Sequence, residues 1–420
     1  MDIPQDKTRQ AVSAAVIGNV LEWYDFAVYG FVAVILSRKF FPPGDEVTAL
    51  LSTFLAYGLG FVARPLGGII LGRIGDTHGR KLALLITIAL MAGGTVLIGI
   101  LPTYAAIGIA APLLLVAARL LQGFSAGGEW GGSTAYIVEW APADKRGLYG
   151  SFQQLSVVAG LLLGSAVAAI FSTVLTPDQM DGWGWRVPFL LGGILGPVGL
   201  WMRRTIDETP AYIKAVAKPG PVTDTTSPWI MAARAFGFTI VWTVCFYVLL
   251  AYMPTYTQKY VKISASAALW ANTIGLLALV VFIPIMGAVS DRIGRKPLLL
   301  ACCIAYIVVP YPAFHYLVSG ASYGGLIAVQ IVFAILISMF SGAGPAAIAE
   351  MFPTRSRSTW MTTGYALSVA IFGGFAPFIS VYLIEKFNSN LAHTYYLIGA
   401  AIISTIVIAM LRETAHEPLG

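Results

Sequence analysis

The chain has 420 residues, 57% of them hydrophobic and only 11% charged, with a formal net charge of +6. Soluble domains carry about 25% charged residues, so a water-facing surface of ordinary size is excluded. A polytopic membrane protein remains: each crossing uses roughly 20 apolar residues, and a chain of this length holds about a dozen.

The first residues, MDIPQDKTRQ, are polar, and no small-residue cleavage site follows the first apolar stretch. That stretch is therefore read as a retained helix rather than a signal peptide. Apolar runs interrupted by Gly, Pro and charge predict helices over 11–37, 48–72, 82–101, 111–140, 150–174 and 186–202. They continue over 230–257, 267–289, 298–318, 324–345, 358–384 and 391–411. The longest polar connection runs from about Arg203 to Ser227 and contains Pro210, Pro219 and Pro221. It divides the chain into an N-terminal six-helix bundle over 1–203, a linker over 204–229 and a C-terminal six-helix bundle over 230–420. Cys245, Cys302 and Cys303 all lie in apolar segments, with no disulfide framework and no metal-ligand spacing.

An even number of helices places both termini on one side. Lys and Arg gather in the loops of that side: the N-terminus, Arg73–Lys81, Lys145 and Arg146, the linker with Arg234, Arg292–Lys296, Arg355 and Arg357, and Arg412. The opposite loops hold only Arg38, Lys39, Lys259, Lys262 and Lys386. By the positive-inside rule both termini are expected in the cytoplasm. The basic balance is thereby explained by topology, and no nucleic-acid partner is called for.

The chain also repeats itself. GRIGDTHGRK at 72–81 returns as GAVSDRIGRK at 287–296, and EWAP at 139–142 is echoed by EMFP at 350–353 at nearly the same spacing. Two related halves are the parallel-repeat plan of large secondary transporters, whose binding sites lie near midplane between the repeats.

Ionisable residues inside apolar runs are the candidates for chemistry, since a lipid-facing charge costs several kcal/mol. Glu22 and Asp25, spaced i, i+3, share a helix face near the middle of the first helix. They serve either as a proton site, burial and mutual repulsion raising a carboxyl pKa, or as half of a permanent ion pair. Glu129, in SAGGEWGG of helix 4, is a second coupling candidate or a packing carboxylate. His78 falls in a loop, His315 and His393 near helix ends and His416 in the tail, so a carboxylate is the expected proton carrier. Arg119 and Arg64 are the two deep cations. Either can grip an anionic substrate bidentately or neutralise one of these carboxylates; Arg119 is favoured for substrate and Arg64 for structure or gating. Arg186 is read as an interfacial anchor. Tyr24, Tyr29, Tyr57, Gln153, Gln154, Trp242, Tyr247 and Tyr365 are candidate cavity linings, against the alternative of packing and interface anchoring.

The paired loops resemble the signature loop of the major facilitator superfamily, and RLLQG at 119–123 resembles its helix-4 motif. GNVLEWYDFAVYGF at 18–31, RPLGG at 64–68, QGFSAGGEWGG at 122–132, WGWRVP at 183–188 and DETPAY at 207–212 are similar to the metabolite:proton symporter branch. The resemblance covers nearly the whole chain. It implies an all-α integral membrane fold of twelve transmembrane helices in two pseudo-symmetric bundles, in a bacterial inner membrane. It also implies that Asp76, Arg80, Asp291 and Arg295 clasp the cytoplasmic ends of helices and gate them. The activity it implies is proton-driven import by alternating access, with no cofactor beyond the proton gradient and no partner subunit, monomer being the default. The cargo expected is a small organic anion, a di- or tricarboxylate such as citrate. Shikimate or another organic acid, or a zwitterion such as proline or betaine, stays open. Osmolyte carriers of the branch can end in a long coiled-coil tail, and this chain's end at Gly420 weighs against them. An intramembrane enzyme is disfavoured because no nucleophile–base or metal-ligand constellation lies at membrane depth; a receptor is disfavoured because no soluble output domain is seen.

Overall fold

The computed structural model describes residues 19–417, apart from 21, 22, 79, 128, 129, 131–133, 135, 136, 139, 140, 205–227, 353–356 and 416. For 72, 73, 75–78, 80–85, 88, 195, 198–204, 228, 231 and 357–360 it describes the backbone alone. Glu22, Glu129 and nearly all of the linker over 204–229 therefore lie outside the described residues, as do the side chains of Asp76 and Arg80.

Helix dominates because backbone polar groups in hydrocarbon must be satisfied within the segment. Helix α1 covers 23–31 and, after a turn at Val32, Ala33–Phe40. Helix α2 is Glu46–Val62 continued by Arg64–His78, α3 is Arg80–Ile100, α4 includes Ala110–Ser125, α5 is Arg146–Val174 and α6 is Arg186–Arg204. In the second half α7 is Pro228–Phe246, Tyr247–Tyr252 and Met253–Lys259; α8 is Ala265–Ile293; α9 is Arg295–Val308 plus Pro310–Val318; and α10 is Tyr323–Glu350. Helix α11 is Arg357–Ser368, Val369–Gly373 and Ala376–Lys386, and α12 is Ala392–Met410. Each span predicted from the sequence meets helix. Among the described residues, seven helices are long and apolar enough to cross a membrane, or eight with the bent α9 counted as one.

Several ends differ from the prediction for local reasons. Helix α5 begins at Arg146, four residues early, and α10 runs on to Glu350; polar residues at both ends find partners described below. Helix α9, predicted as continuous, bends by 42° where Pro310 follows Val309, because a proline lacks the N–H and crowds the preceding turn. Two spans widen by one residue per turn, at Tyr247–Tyr252 ahead of Pro254 and at Val369–Gly373 ahead of Pro377. At the face opposite the basic loops, helix starts are capped by short polar side chains. Asp45 accepts from the Val47 and Thr48 N–H, Ser264 from Ala267, and Ser322 from Gly325. The Thr48 hydroxyl first, then the backbone N–H groups of Thr48 and Val47, hold the Asp45 carboxyl below its ordinary range.

The halves meet along α5 and α8. Near the opposite face this seam is polar: Ser165 and Thr273 hydroxyls lie 2.8 Å apart, Asn272 Nδ2 donates to Ser165 at 3.3 Å, and Trp270 Nε1 donates to Thr173 at 3.0 Å. Near the basic face it is glycine on glycine, Gly147 against Gly287. Helix α7 is the most enclosed element, with 94% of its spanning window buried against 39% for α12.

Candidate functional site

The centre of the first half is a cage of aromatic rings around two guanidinium groups. Arg119 on α4 is fully buried, its Cζ 4.8 Å from the ring centre of Phe26, 4.6 Å from Tyr29 and 4.9 Å from Tyr57. Arg64 on α2 sits 4.8 Å from the same Phe26, 4.6 Å from Phe61 and 5.5 Å from Trp23. Phe26 is thus shared by both cations. Ring faces attract cations by about 0.5–2 kcal/mol each, which offsets part of the cost of burying charge. It does not satisfy the N–H groups. Among the described residues, Nε and Nη2 of both arginines have no hydrogen-bond partner.

The remaining nitrogen of Arg119 is held. Nη1 donates to Gln122 Oε1 at 2.8 Å, Gln122 Nε2 donates to Thr95 Oγ1 at 2.7 Å, and Thr95 donates to the Met91 carbonyl at 3.1 Å. RLLQG thereby acquires a local reason: residues three apart share a helix face, so Gln122 fixes the orientation of Arg119. Asp25 is buried at 4% exposure. Its carboxylate and the Thr95 side chain both border Gly192 of α6, which has no side chain to separate them. It is the Thr95 methyl that faces this space, while the Thr95 hydroxyl stays with Gln122 and the Met91 carbonyl.

The backbone that carries these groups is tightly fixed. A Cβ on Gly123 would overlap the Gly60 carbonyl, and one on Gly67 would overlap the Phe124 carbonyl. The glycines of RPLGG and QGFSAGG are thus what let α2 and α4 touch backbone to backbone.

The other predicted lining residues divide. Tyr29 and Tyr57 stack at 5.7 Å, and the Tyr29 hydroxyl donates to the Thr53 carbonyl at 2.9 Å. Tyr247 of α7 closes the cage from the second half, 5.1 Å from Phe61 and 6.3 Å from Tyr57, with its hydroxyl unpartnered among the described residues. Gln153 and Gln154 are buried on α5; both amide atoms of Gln153 and Oε1 of Gln154 have no partner among the described residues. Tyr24 departs from the cage: its hydroxyl donates to the Pro188 carbonyl of α6 at 2.7 Å. Trp242 and Tyr365 form a separate layer with Trp130, roughly one and a half turns along α7 from Tyr247. Trp130 stacks on Tyr365 at 3.8 Å, and Trp242 Nε1 donates to Ser341 at 3.1 Å. Trp23, Phe26, Phe61 and Thr95 escape the sequence reading because apolar rings and hydroxyls are common in every span. Phe26 alone carried a signal, lying beside Asp25.

At the basic face Asp291 accepts from the backbone N–H of Gly147 at 2.8 Å and Leu148 at 2.9 Å, joining α8 to the start of α5. Arg295 is fixed between carboxylates, Nη1 to Asp291 at 2.8 Å and Nη2 to Glu350 at 3.2 Å. Glu350, noticed in the sequence only as an echo of Glu139, closes this latch. The tail adds to it: Glu413 accepts from the Arg295 and Lys296 N–H at 2.9 Å, and Arg146 donates to the Glu417 carbonyl at 2.8 Å. Burial raises the Glu413 pKa, but the N–H groups of Arg295, Ala415, Lys296 and Thr414 outweigh it and bring it below the usual value.

Comparison with known proteins agrees with this architecture. The family model described as Sugar (and other) transporter matches residues 11–220, and that of the Major Facilitator Superfamily matches 235–419. A proline/betaine transporter of Salmonella typhimurium LT2 is 35% identical over 99% of this chain and 86% of its own. A citrate-proton symporter of Klebsiella pneumoniae is 34% identical over 93% and 89%, and an alpha-ketoglutarate permease of Escherichia coli K12 is 34% identical over 96% and 93%. These relatives are transporters, not enzymes. Among solved structures, the proton:xylose symporter XylE bound to 6-bromo-6-deoxy-D-glucose superposes with a TM-score of 0.83 at 18% identity, covering 99% of this chain and 98% of that one. The architecture is the major facilitator fold, twelve transmembrane helices in two pseudo-symmetric bundles. By family model, by relatives along its whole length and by fold, this chain belongs to the metabolite:proton symporter branch of the major facilitator superfamily.

Proposed function

We propose that the protein is a proton-coupled symporter that imports a small organic anion, a di- or tricarboxylate such as citrate, across a bacterial inner membrane. One observation carries this reading: two buried guanidinium groups share a ring, and among the described residues neither Nε nor Nη2 of either has an acceptor. A buried N–H without an acceptor costs about 1–3 kcal/mol, and carboxylates match the fork of an arginine. A substrate with two or more carboxylates supplies acceptors to both. Gln153, Gln154 and Tyr247 offer further polar atoms.

In this mechanism Asp25 takes a proton while the cage is open to the outside, with Glu22 and Glu129 as the other carriers. Loss of a carboxylate charge releases an arginine, Arg119 in this reading, which then holds the substrate carboxylate. The loaded halves rock about the fixed site, the latch of Asp291, Arg295 and Glu350 parts, and its counterpart loop with Asp76 and Arg80 does the same. The basic face is cytoplasmic, with both termini, by the distribution of Lys and Arg. The carrier works as a monomer in the bilayer.

A second reading has an observation of its own. The aromatic wall of Tyr29, Tyr57, Phe26, Phe61 and Tyr247 suits an onium group, and several relatives are named proline/betaine transporters. The deciding experiment is reconstitution in liposomes with an inward proton gradient, following internal pH as citrate, tricarballylate, 2-oxoglutarate, succinate, shikimate, proline and betaine are added singly. The expected result is acidification with the di- and tricarboxylates, absent in Asp25→Asn. Acidification with proline or betaine alone would overturn the anion assignment.

A further inference from the structure

Away from the cage, α3 and α6 cross and leave a groove of about 480 Å³ on the outer wall of the first half. Its lining is apolar and small, including Ala89, Gly93, Val96, Ile100, Gly193 and Pro197. Ala89, Gly93, Ile100 and Pro197 are exposed, and on this wall exposure means the bilayer. From Ala89 to Ile100 the groove runs roughly 16 Å along α3, close to half of the ~30 Å hydrocarbon core. It is as long as one leaflet is deep.

Beyond the Ile100 end of the groove, outside its lining, stands a cation. Arg186 begins α6 at the face opposite the basic loops, half-buried, its guanidinium 4.3 Å over Trp185. Its Nη1 donates to the Gly99 and Leu101 carbonyls, both at 2.8 Å, which moors it at the end of α3 beside Ile100. No carboxylate pairs with it among the described residues. The nearby Asp181 is engaged by Arg38 and Lys39. Burial raises the Asp181 pKa, but those two cations prevail and hold it below its ordinary value. Trp183, half exposed, stands in the same interfacial segment, where tryptophan settles at headgroup level.

We propose that this groove holds one acyl chain of an anionic phospholipid whose phosphate is gripped by Arg186. The headgroup has to supply the selectivity. An acyl chain gains no hydrophobic free energy on leaving other chains for an apolar groove, whereas a phosphate meets an arginine with free N–H groups. A second protein helix would cover the same apolar wall but would bring nothing for Arg186.

The test is native mass spectrometry of the purified protein equilibrated with equal dioleoyl phosphatidylglycerol and dioleoyl phosphatidylcholine. The wild type is expected to keep one phosphatidylglycerol with about fivefold preference, the value of one arginine near a charged headgroup. Gly93→Leu fills the groove, since a Cβ there meets nothing within 4 Å, and is expected to lose the retained lipid. Arg186→Gln is expected to lose the preference. Gly93→Leu leaves Arg186 and its carbonyl contacts in place, so the test survives poor folding of the arginine variant. Equal retention of the two lipids by the wild type overturns the proposal, as does unchanged binding in Gly93→Leu. Lipid-free dimers that Gly93→Leu dissolves would assign the groove to a second copy instead.

Discussion

Arg119 shows how a single side chain can be fully buried yet chemically unfinished. Three ring faces and Gln122 fix its plane, while two of its nitrogens have no acceptor among the described residues. Lysine keeps the charge but loses both the stacking plane and the fork. Arg119→Lys is expected to remain monodisperse and to bind substrate roughly 10- to 100-fold more weakly, the loss of one or two charge-assisted hydrogen bonds. Binding within twofold of wild type, read by calorimetry or by competition for uptake, would remove Arg119 from the substrate site. At this scale the sequence was legible wherever a charge interrupts an apolar run, as at Asp25, Arg64 and Arg119. The aromatic partners were not, because Trp23 and Phe61 look like any other packing residue until a cation is found over their rings. Tyr24, read with the others as a candidate cavity lining, sends its hydroxyl to the Pro188 carbonyl of α6.

Among elements, glycine placement decides which helices move together. The α2–α4 contact leaves no room for a methyl group at Gly123, whereas Gly93 of α3 faces open space. Gly123→Ala is therefore expected to cost about 1–3 kcal/mol through overpacking, seen as a lower unfolding midpoint in detergent. Gly93→Ala, which gains helix propensity, is expected to hold or raise that midpoint. Equal effects of the two would mean that α2 and α4 are not tightly joined. The second half has the opposite character, since α7 and α11 each carry a wide turn before a proline. Gly373, Gly374 and Pro377 advertise flexibility in α11 from the sequence alone. Tyr247–Tyr252 gives no such notice, because a widened turn is a compromise between neighbours and leaves no composition behind.

For the whole molecule, Asp291 is one of the described residues that join the halves at the basic face. Asp291 holds two backbone N–H groups of α5, and Ser151, one turn further in, is fully buried. Hydrogen bonds to a charged group contribute about 1.5–3 kcal/mol each. Asp291→Asn is expected to raise labelling of Ser151→Cys by a membrane-impermeant maleimide at least about tenfold. Cys245, Cys302 and Cys303 are buried and keep the background low. Unchanged labelling would show that Asp291 does not hold the halves together. The tail contact has a defined pH range. Because the folded-state pKa of Glu413 is lowered, its contribution is complete above the unfolded value near 4.5 and is lost as pH falls through the folded value. The stability difference between wild type and Glu413→Gln is thus expected to stay level from pH 8 to about 5.5 and to close only in stronger acid. A difference that varies near neutrality would contradict the backbone contacts assigned to Glu413. The repeated loops made this latch legible at Asp291 and Arg295, whereas Glu413 and Glu350 become partners only once α9, α10 and the tail are brought together.

The backbone seam between α2 and α4 also bears on how such a carrier diversifies. A side chain added at Gly67 or Gly123 overlaps backbone atoms so closely that something must shift, so descent with change has little freedom there. The rings and amides around the cage, Tyr57 on α2 with Tyr29, Gln153 and Tyr247 on neighbouring helices, lie outside that backbone contact. A lineage can therefore trade one cargo for another by altering these side chains while inheriting the seam intact.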